Sequence, residues 1–191
     1  MNQLDLTRLN YRSPYQVWEG ERGYCFKTDH GIFYTVEFDP EESGIDIIAY
    51  WFNLTNNSHK SSPNDVKIRD TVLCLIEEFF RVNPEILLYM CESGDGHQAM
   101  RARLFLRWFN QYNKNGQFYI RTAEVKNGKI TDYVALIIQR THPAFNDIVE
   151  LFDSEITMFQ RNKAEEAGEI DNVPSDTTTT KRKRVTCKTL C

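Results

Sequence analysis

Apolar and polar residues alternate over two short stretches near the front of the chain, first at Tyr24 and Phe26, then at Ile32, Tyr34, Val36 and Phe38. A period of two, carried by aromatic and β-branched side chains, predicts strands. Asp29-His30-Gly31 between them predicts the turn of a hairpin. Gly44 opens a third run over 45–54, rich in Ile, Tyr, Trp and Phe, which ends in the polar stretch TNNSHKSS and reads as a third antiparallel strand. The period then becomes helical. Ser62 as a cap, Pro63 at the first helical position and Asp65 three residues after the cap predict a helix over 62–82. Its wide apolar face is Val66, Ile68, Val72, Leu73, Leu75, Ile76, Phe79 and Phe80, and Asn83-Pro84 stops it.

The run 86–91 is short and continuously apolar, as a buried strand would be. Over 97–112 the spacing is helical again, with Leu104, Phe105, Trp108, Phe109 and Tyr112 on one side. Asn127-Gly128 separates two strand-like runs, 118–126 and 130–139, and is a strong hairpin signal because both central residues accept a positive φ. Pro143 and the series Phe145, Ile148, Val149, Phe152, Ile156 and Phe159 predict a last amphipathic helix. The order β-β-β-α-β-α-β-β-α defines an α+β fold, a mostly antiparallel sheet with helices packed on it. The expected organisation is an N-terminal extension over 1–22, a single domain over 23–161, and a disordered tail over 162–191 that is almost free of aromatic residues.

Composition narrows the function classes. With 191 residues, of which 41% are hydrophobic, one core is the expectation. The 23 basic residues against 27 acidic ones give a net charge of −4 and no overall attraction to nucleic acid or anionic lipid. Lys181, Arg182, Lys183 and Arg184 lack interleaved aromatic residues and offer only salt-sensitive, unspecific attraction. Specific nucleic-acid binding is therefore not expected. No apolar run is long enough to span a membrane, and the first residues do not read as a signal peptide, so the expected location is cytoplasmic. Five cysteines without a CxxC spacing predict neither a disulfide framework nor a zinc site, and no cofactor is assigned.

The segment CESGDGHQAMRARLFLRWF places a strand, a glycine-bearing loop and a helix in succession, an arrangement that favours anions at the helix start. Asp95 can cap that helix and Gln98 can answer it. At 100° per residue Arg101 projects into the arc of Leu104, Phe105, Trp108 and Tyr112, and Arg69 projects into that of Val72, Leu73, Ile76 and Phe80. A buried guanidinium requires a counterpart, for which Glu92, Asp95 and Asp70 are the internal candidates and a small bound anion the external one. The candidate ligand site is thus Arg69, Gly94, Asp95, Gly96, His97, Gln98 and Arg101. Glu124-Val125-Lys126 has the Glu-x-Lys form of some metal-dependent nucleases, but it abuts the Asn127-Gly128 turn and is expected to be cross-strand surface charge.

The element order is similar to the acetyltransferase fold that binds acetyl-coenzyme A. That resemblance implies a pyrophosphate loop before the first of the two central helices, where this chain has SHKSSPND instead of the family's Gln/Arg-x-x-Gly-x-Gly/Ala. Arg69-Asp70-Thr71, the strand into Cys91, Gly94-Asp95-Gly96-His97-Gln98-Ala99 and Arg101-x-Arg103-Leu104-Phe105-x-Arg107-Trp108-Phe109 together resemble an uncharacterised family of small Bacteroidetes proteins, a domain of unknown function. This second resemblance implies a bacterial cytoplasmic setting and supplies no activity. Two readings follow: a binding or regulatory module without catalysis, acting through a protein partner, or an enzyme or sensor that takes a small anion or nucleotide at the strand-loop-helix site.

Overall fold

A computed structural model of the chain describes residues 1–42, 47–60, 64–91, 98–113, 115–127 and 130–169. Its elements in chain order are α1 (Leu6–Arg12), β1 (Val17–Glu19), β2 (Tyr24–Lys27), β3 (Phe33–Pro40), β4 (Ala49–Asn56), α2 (Val66–Val82), β5 (Ile86–Cys91), α3 (Gln98–Tyr112), β6 (Phe118–Asn127), β7 (Ile130–Gln139) and α4 (Phe145–Glu169). The strands form one sheet in the order β1-β2-β3-β4-β5-β7-β6. Every step is antiparallel except β4 beside β5. This is the α+β architecture expected, with α1 and β1 added in front.

The boundaries show where local signals failed. Residues 1–22, read as an extension, put Leu4, Leu9, Tyr15 and Val17 into the main core. α1 has only seven residues and β1 three, too few for a period to be legible. α2 begins after Asp65, which is itself the cap and accepts from the Lys67 amide at 2.9 Å. Ser62 and Pro63 lie outside the described residues. Asn83 ends the helix as expected, its amide donating to the Phe79 carbonyl at 2.8 Å. In the first hairpin Gly31 has φ +73°, the left-handed conformation that makes glycine useful in that turn. Asn127 pairs with Ile130, so the β6–β7 loop is centred one residue later than the Asn127-Gly128 reading, and residues 128–129 lie outside the description. α4 continues to Glu169, into the stretch read as a tail.

A parallel pair cannot be joined by a tight turn. α2 is the crossover from β4 to β5, and α3 leads from β5 to β6, the far partner of β7. Right-handed crossovers that step in the same direction along a sheet place their helices on one face. Both α2 and α3 do share a face and one core with Phe26, Tyr34, Phe52, Leu54, Tyr89 and Ile137. α4 covers the opposite face of the β5-β7-β6 end, where Ile148 packs with Ala49, Ile86, Leu136 and Ile138.

Aromatic stacking fixes where α3 lies. Phe105, 1% exposed, stacks on Tyr89 with ring centroids 4.1 Å apart and on Phe52 at 5.6 Å, straddling the β4–β5 join. Such contacts add about 0.5–1.5 kcal/mol per pair beyond area burial.

Two carboxylates of α2 tie the helices together. Glu77 accepts from Arg12 of α1 at 2.6 Å and shares a side-chain hydrogen bond with Tyr112 of α3. Burial pushes its carboxyl up, but the Arg12 and Tyr112 bonds outweigh that and hold it below the usual carboxylate range. Glu78, 3% exposed, takes both the Nε and the Nη2 of Arg81 and the Asp5 amide, which anchors the start of α1.

Phe105→Ala should cost about 3–5 kcal/mol, measured as a lower urea midpoint at unchanged slope. Glu77 ionises more readily folded than unfolded, so its contribution is present above its ordinary value of 4.5 and is lost as the pH falls through the lowered folded one. In Glu77→Gln, urea midpoints measured on the acid side of pH 4.5 should therefore fall less steeply with pH than in the wild type.

Candidate functional site

The structure separates the two arginines that the sequence placed in one pocket. Arg69 donates from Nε to the carboxylate of its neighbour Asp70 at 2.8 Å and from Nη1 to Oε1 of Gln111 at 3.3 Å. Its side chain keeps 27% of its surface exposed. Gln111 stands ten residues along α3 from Arg101, about 15 Å at the helical rise. Arg69 therefore belongs to the α2–α3 contact.

Arg101 is 2% exposed and ranks among the largest fully buried side chains. It is not free, having polar or electrostatic neighbours of its own. The buried face of α3 is Arg101, Ala102, Phe105 and Phe109, whereas Leu104 and Trp108 are half-buried. The helix is thus turned by about 50° from the expected arc, because Phe105 and Phe109, rather than Trp108, reach the sheet. Gln98 opens α3, and its Nε2 donates to the Thr131 carbonyl at 3.3 Å. That bond fastens the helix start to β7. Gly94, Asp95, Gly96 and His97, the remaining members of the expected site, and Glu92, a candidate counter-ion, lie outside the described residues.

The acetyltransferase-like order implies a coenzyme whose diphosphate would sit at the start of α2. The residues there do not fit it. Asp65 already accepts the Lys67 amide and also takes the Tyr15 hydroxyl proton at 2.6 Å. Asp29, whose amide donates to that same hydroxyl at 3.3 Å, binds Lys67 Nζ at 2.6 Å. Burial and the Asp65 bond push the Tyr15 phenol up to about 12. First-turn amides that attract anions elsewhere here serve the chain's own carboxylate, and a second carboxylate is close by.

A different place is open. On the inner face a row of cross-strand partners runs Phe38, Phe52, Tyr89, Ala135, Thr122. Three aromatic rings are followed by a methyl group and a small hydroxyl. Phe105 caps the large end of the row, and α3 presents Ala102 at the small end. The step in side-chain size leaves a cavity of about 240 Å³ between α3 and the β5-β7-β6 surface. Tyr89, Ala135, Thr122 and Tyr133 line it from the sheet, Ala102, Arg103 and Leu106 from the helix, and Glu124 from the outermost strand. Glu124 pairs across the sheet with Tyr133. The Glu-x-Lys stretch is thus surface charge, as expected, but its glutamate faces a hollow. On the helical wheel Ala102, Arg103 and Leu106 occupy the flank away from Gln111 and Tyr112, which meet α2. Arg101 begins on the α2 side and is no part of the cavity lining.

Arg103 and Glu124 are exposed, and among the described residues neither forms an ion pair. The walls between them are mainly aromatic and aliphatic. Cys91, fully buried, donates its thiol proton to the Tyr89 hydroxyl at 2.8 Å. No group of three or more His, Cys, Asp or Glu side chains gathers among the described residues. No helix among them is long and apolar enough to cross a membrane.

An α+β sheet with one parallel step, two helices on its inner face and a hollow beside the second helix defines the class structurally. Residues 64–154 match a family of unknown function, DUF6169. The matched stretch, a little under half of the chain, runs from just before α2 into α4 and contains both walls of the cavity. No curated protein matches the chain.

Arg101→Ala should cost about 3–5 kcal/mol, the loss typical when a buried charge is taken from its surroundings. Arg69→Ala, at a partly exposed pair, should cost less than about 1 kcal/mol. Urea unfolding of both variants checks the contrast, and equal losses would contradict the separation of roles.

Proposed function

We propose that this chain is a binding module without catalysis, bacterial and cytoplasmic, that takes a small ligand into the cavity between α3 and the β5-β7-β6 end of the sheet. The observation that carries this reading is the hollow itself, with two charged side chains on its rim that no ion pair among the described residues occupies. Protein interiors are packed to crystal density, so a gap of this size beside an aromatic core marks a place where packing is given up. Its walls are apolar with a few polar groups, the composition of ligand sites. At about 240 Å³ it lies below the roughly 300–1,000 Å³ of clefts for drug-sized ligands, which favours something smaller than a nucleotide or coenzyme. Holding suits this geometry better than turnover. Nucleophilic catalysis needs a nucleophile and a base within hydrogen-bond reach, whereas the ionisable groups here stand on opposite walls. A protein partner could read the occupied state from the exposed surface of α3.

Thermal unfolding of the full chain against a panel of small amphipathic metabolites, inorganic phosphate, ATP and coenzyme A tests this. The expected result is a stabilisation by small amphipathic compounds that is lost when the hollow is filled by Ala135→Leu or, from the exposed edge strand, by Thr122→Ile, with each variant still folded by circular dichroism. A shift of about 2.7 kcal/mol is expected at a hundredfold excess over Kd. Stabilisation by phosphate, ATP or coenzyme A that survives both fillings would overturn the reading in favour of the strand-loop-helix site. So would the absence of any response across the panel.

A further inference from the structure

Resting on the cavity reading above, we infer that the ligand is a small zwitterion with an apolar body, of the class of a free α-amino acid carrying an aliphatic or aromatic side chain. Three observations carry this. Among the described residues, the two charged groups that line the cavity have opposite signs and come from opposite walls, Arg103 from α3 and Glu124 from β6. They do not neutralise each other, and no other ion pair consumes either among the described residues. Between them lie Ala135, Leu106 and the rings of Tyr89 and Tyr133.

A purely anionic ligand would satisfy Arg103 and bring its charge toward Glu124, and a purely cationic one would do the reverse. Like-charge juxtaposition of this kind is a common source of specificity. A zwitterion offers a carboxylate to the guanidinium, whose planar fork suits that group, and an ammonium to the carboxylate. Its apolar body replaces water over the tyrosine and alanine surface. The volume agrees, since the hollow holds a single small molecule rather than a peptide.

Isothermal titration calorimetry of the full chain with L-leucine, N-acetyl-L-leucine and L-leucinamide separates the terms, because the three share one side chain and differ in charge. The zwitterion should bind at least tenfold more tightly than either singly charged relative. Arg103→Met should remove its advantage over leucinamide, and Glu124→Gln its advantage over N-acetyl-leucine. L-phenylalanine, with its N-acetyl and amide forms, repeats the comparison for an aromatic body. Both substitutions are at exposed positions, and circular dichroism confirms that each variant folds. Equal binding of the charged forms within both series, or preference for a singly charged one, would overturn the inference while leaving the cavity as the site, provided Ala135→Leu still abolishes binding. Binding that survives Ala135→Leu, or no binding by any of these probes, would overturn the zwitterion as occupant, and the wider panel then decides whether the cavity reading survives.

Discussion

A single parallel step in an otherwise antiparallel sheet governs the rest of this molecule. Antiparallel neighbours can be joined by a few residues, but β4 and β5 run in the same direction and need a crossover, and α2 supplies it. β5 and β6 also run in the same direction with β7 set between them, so α3 makes a second crossover of the same sense. Both helices consequently lie on one face and must divide its width. Phe105 decides the division, because its ring reaches Phe52 and Tyr89 from α3 and anchors the helix over β5 and β7. A helix held there covers the outermost strand only at its Phe118 end, where Phe109 meets that ring. The inner surface beside Thr122 and Glu124 is left partly roofed, and the hollow follows from the placement of one ring.

Charged side chains in this protein fall into two populations, and saturation distinguishes them. Glu77 and Glu78 of α2 each receive more than one donor and connect elements distant in sequence, as Arg12 and Tyr112 converge on Glu77. Asp65 is likewise filled by an amide and a phenol. Such groups are already neutralised by the fold, and a ligand would have to displace a native partner to use them. Arg69 belongs with them, through Asp70 and Gln111. Arg103 and Glu124 belong to the other population: they cost the fold little, because their charged ends keep water, and they retain the capacity to meet a ligand.

The elements were largely legible in the sequence because each carries its own signal. Period-two alternation located the first hairpin, apolar helical spacing located α2 and α3, and Asn83-Pro84 marked where α2 stops. What failed was whatever depends on a partner far along the chain. α1 and β1 are too short for a period, and only their burial against α2 and β2 makes them elements. The side of α3 is legible through Phe105 and Phe109 but its exact phase is not, because Leu104, Trp108 and Tyr112 extend the arc one way as well as Ala102 extends it the other. The sheet beneath chooses between the two arcs, offering Tyr89 and Phe52 to Phe105. Helical spacing shows Arg101 as inward, and it is buried; the same spacing points Arg69 inward too, but its bond to the adjacent Asp70 keeps it partly exposed.

The cavity was the least legible feature, although half of the information for it was present. The hairpin signal at Asn127-Gly128 fixes the β6–β7 register to within one loop position. With β7 held beside β5, centring the loop on those two residues would set Thr122 opposite Tyr133 and bring Ile120, a larger side chain, opposite Ala135. The observed loop lies one residue later, Asn127 faces Ile130, and Thr122 meets Ala135. That shift preserves every inward and outward assignment, since it changes the pairing by two positions and strand side chains repeat every two. It therefore leaves no mark on the hydrophobic pattern, yet it sets Thr122 rather than Ile120 beside Ala135 at the spot that α3 roofs with Ala102. Alternation fixes which residues face inward; a two-residue choice of register, set by the loop and by pairing with Tyr89 on β5, fixes whether those residues fill the space or leave it open.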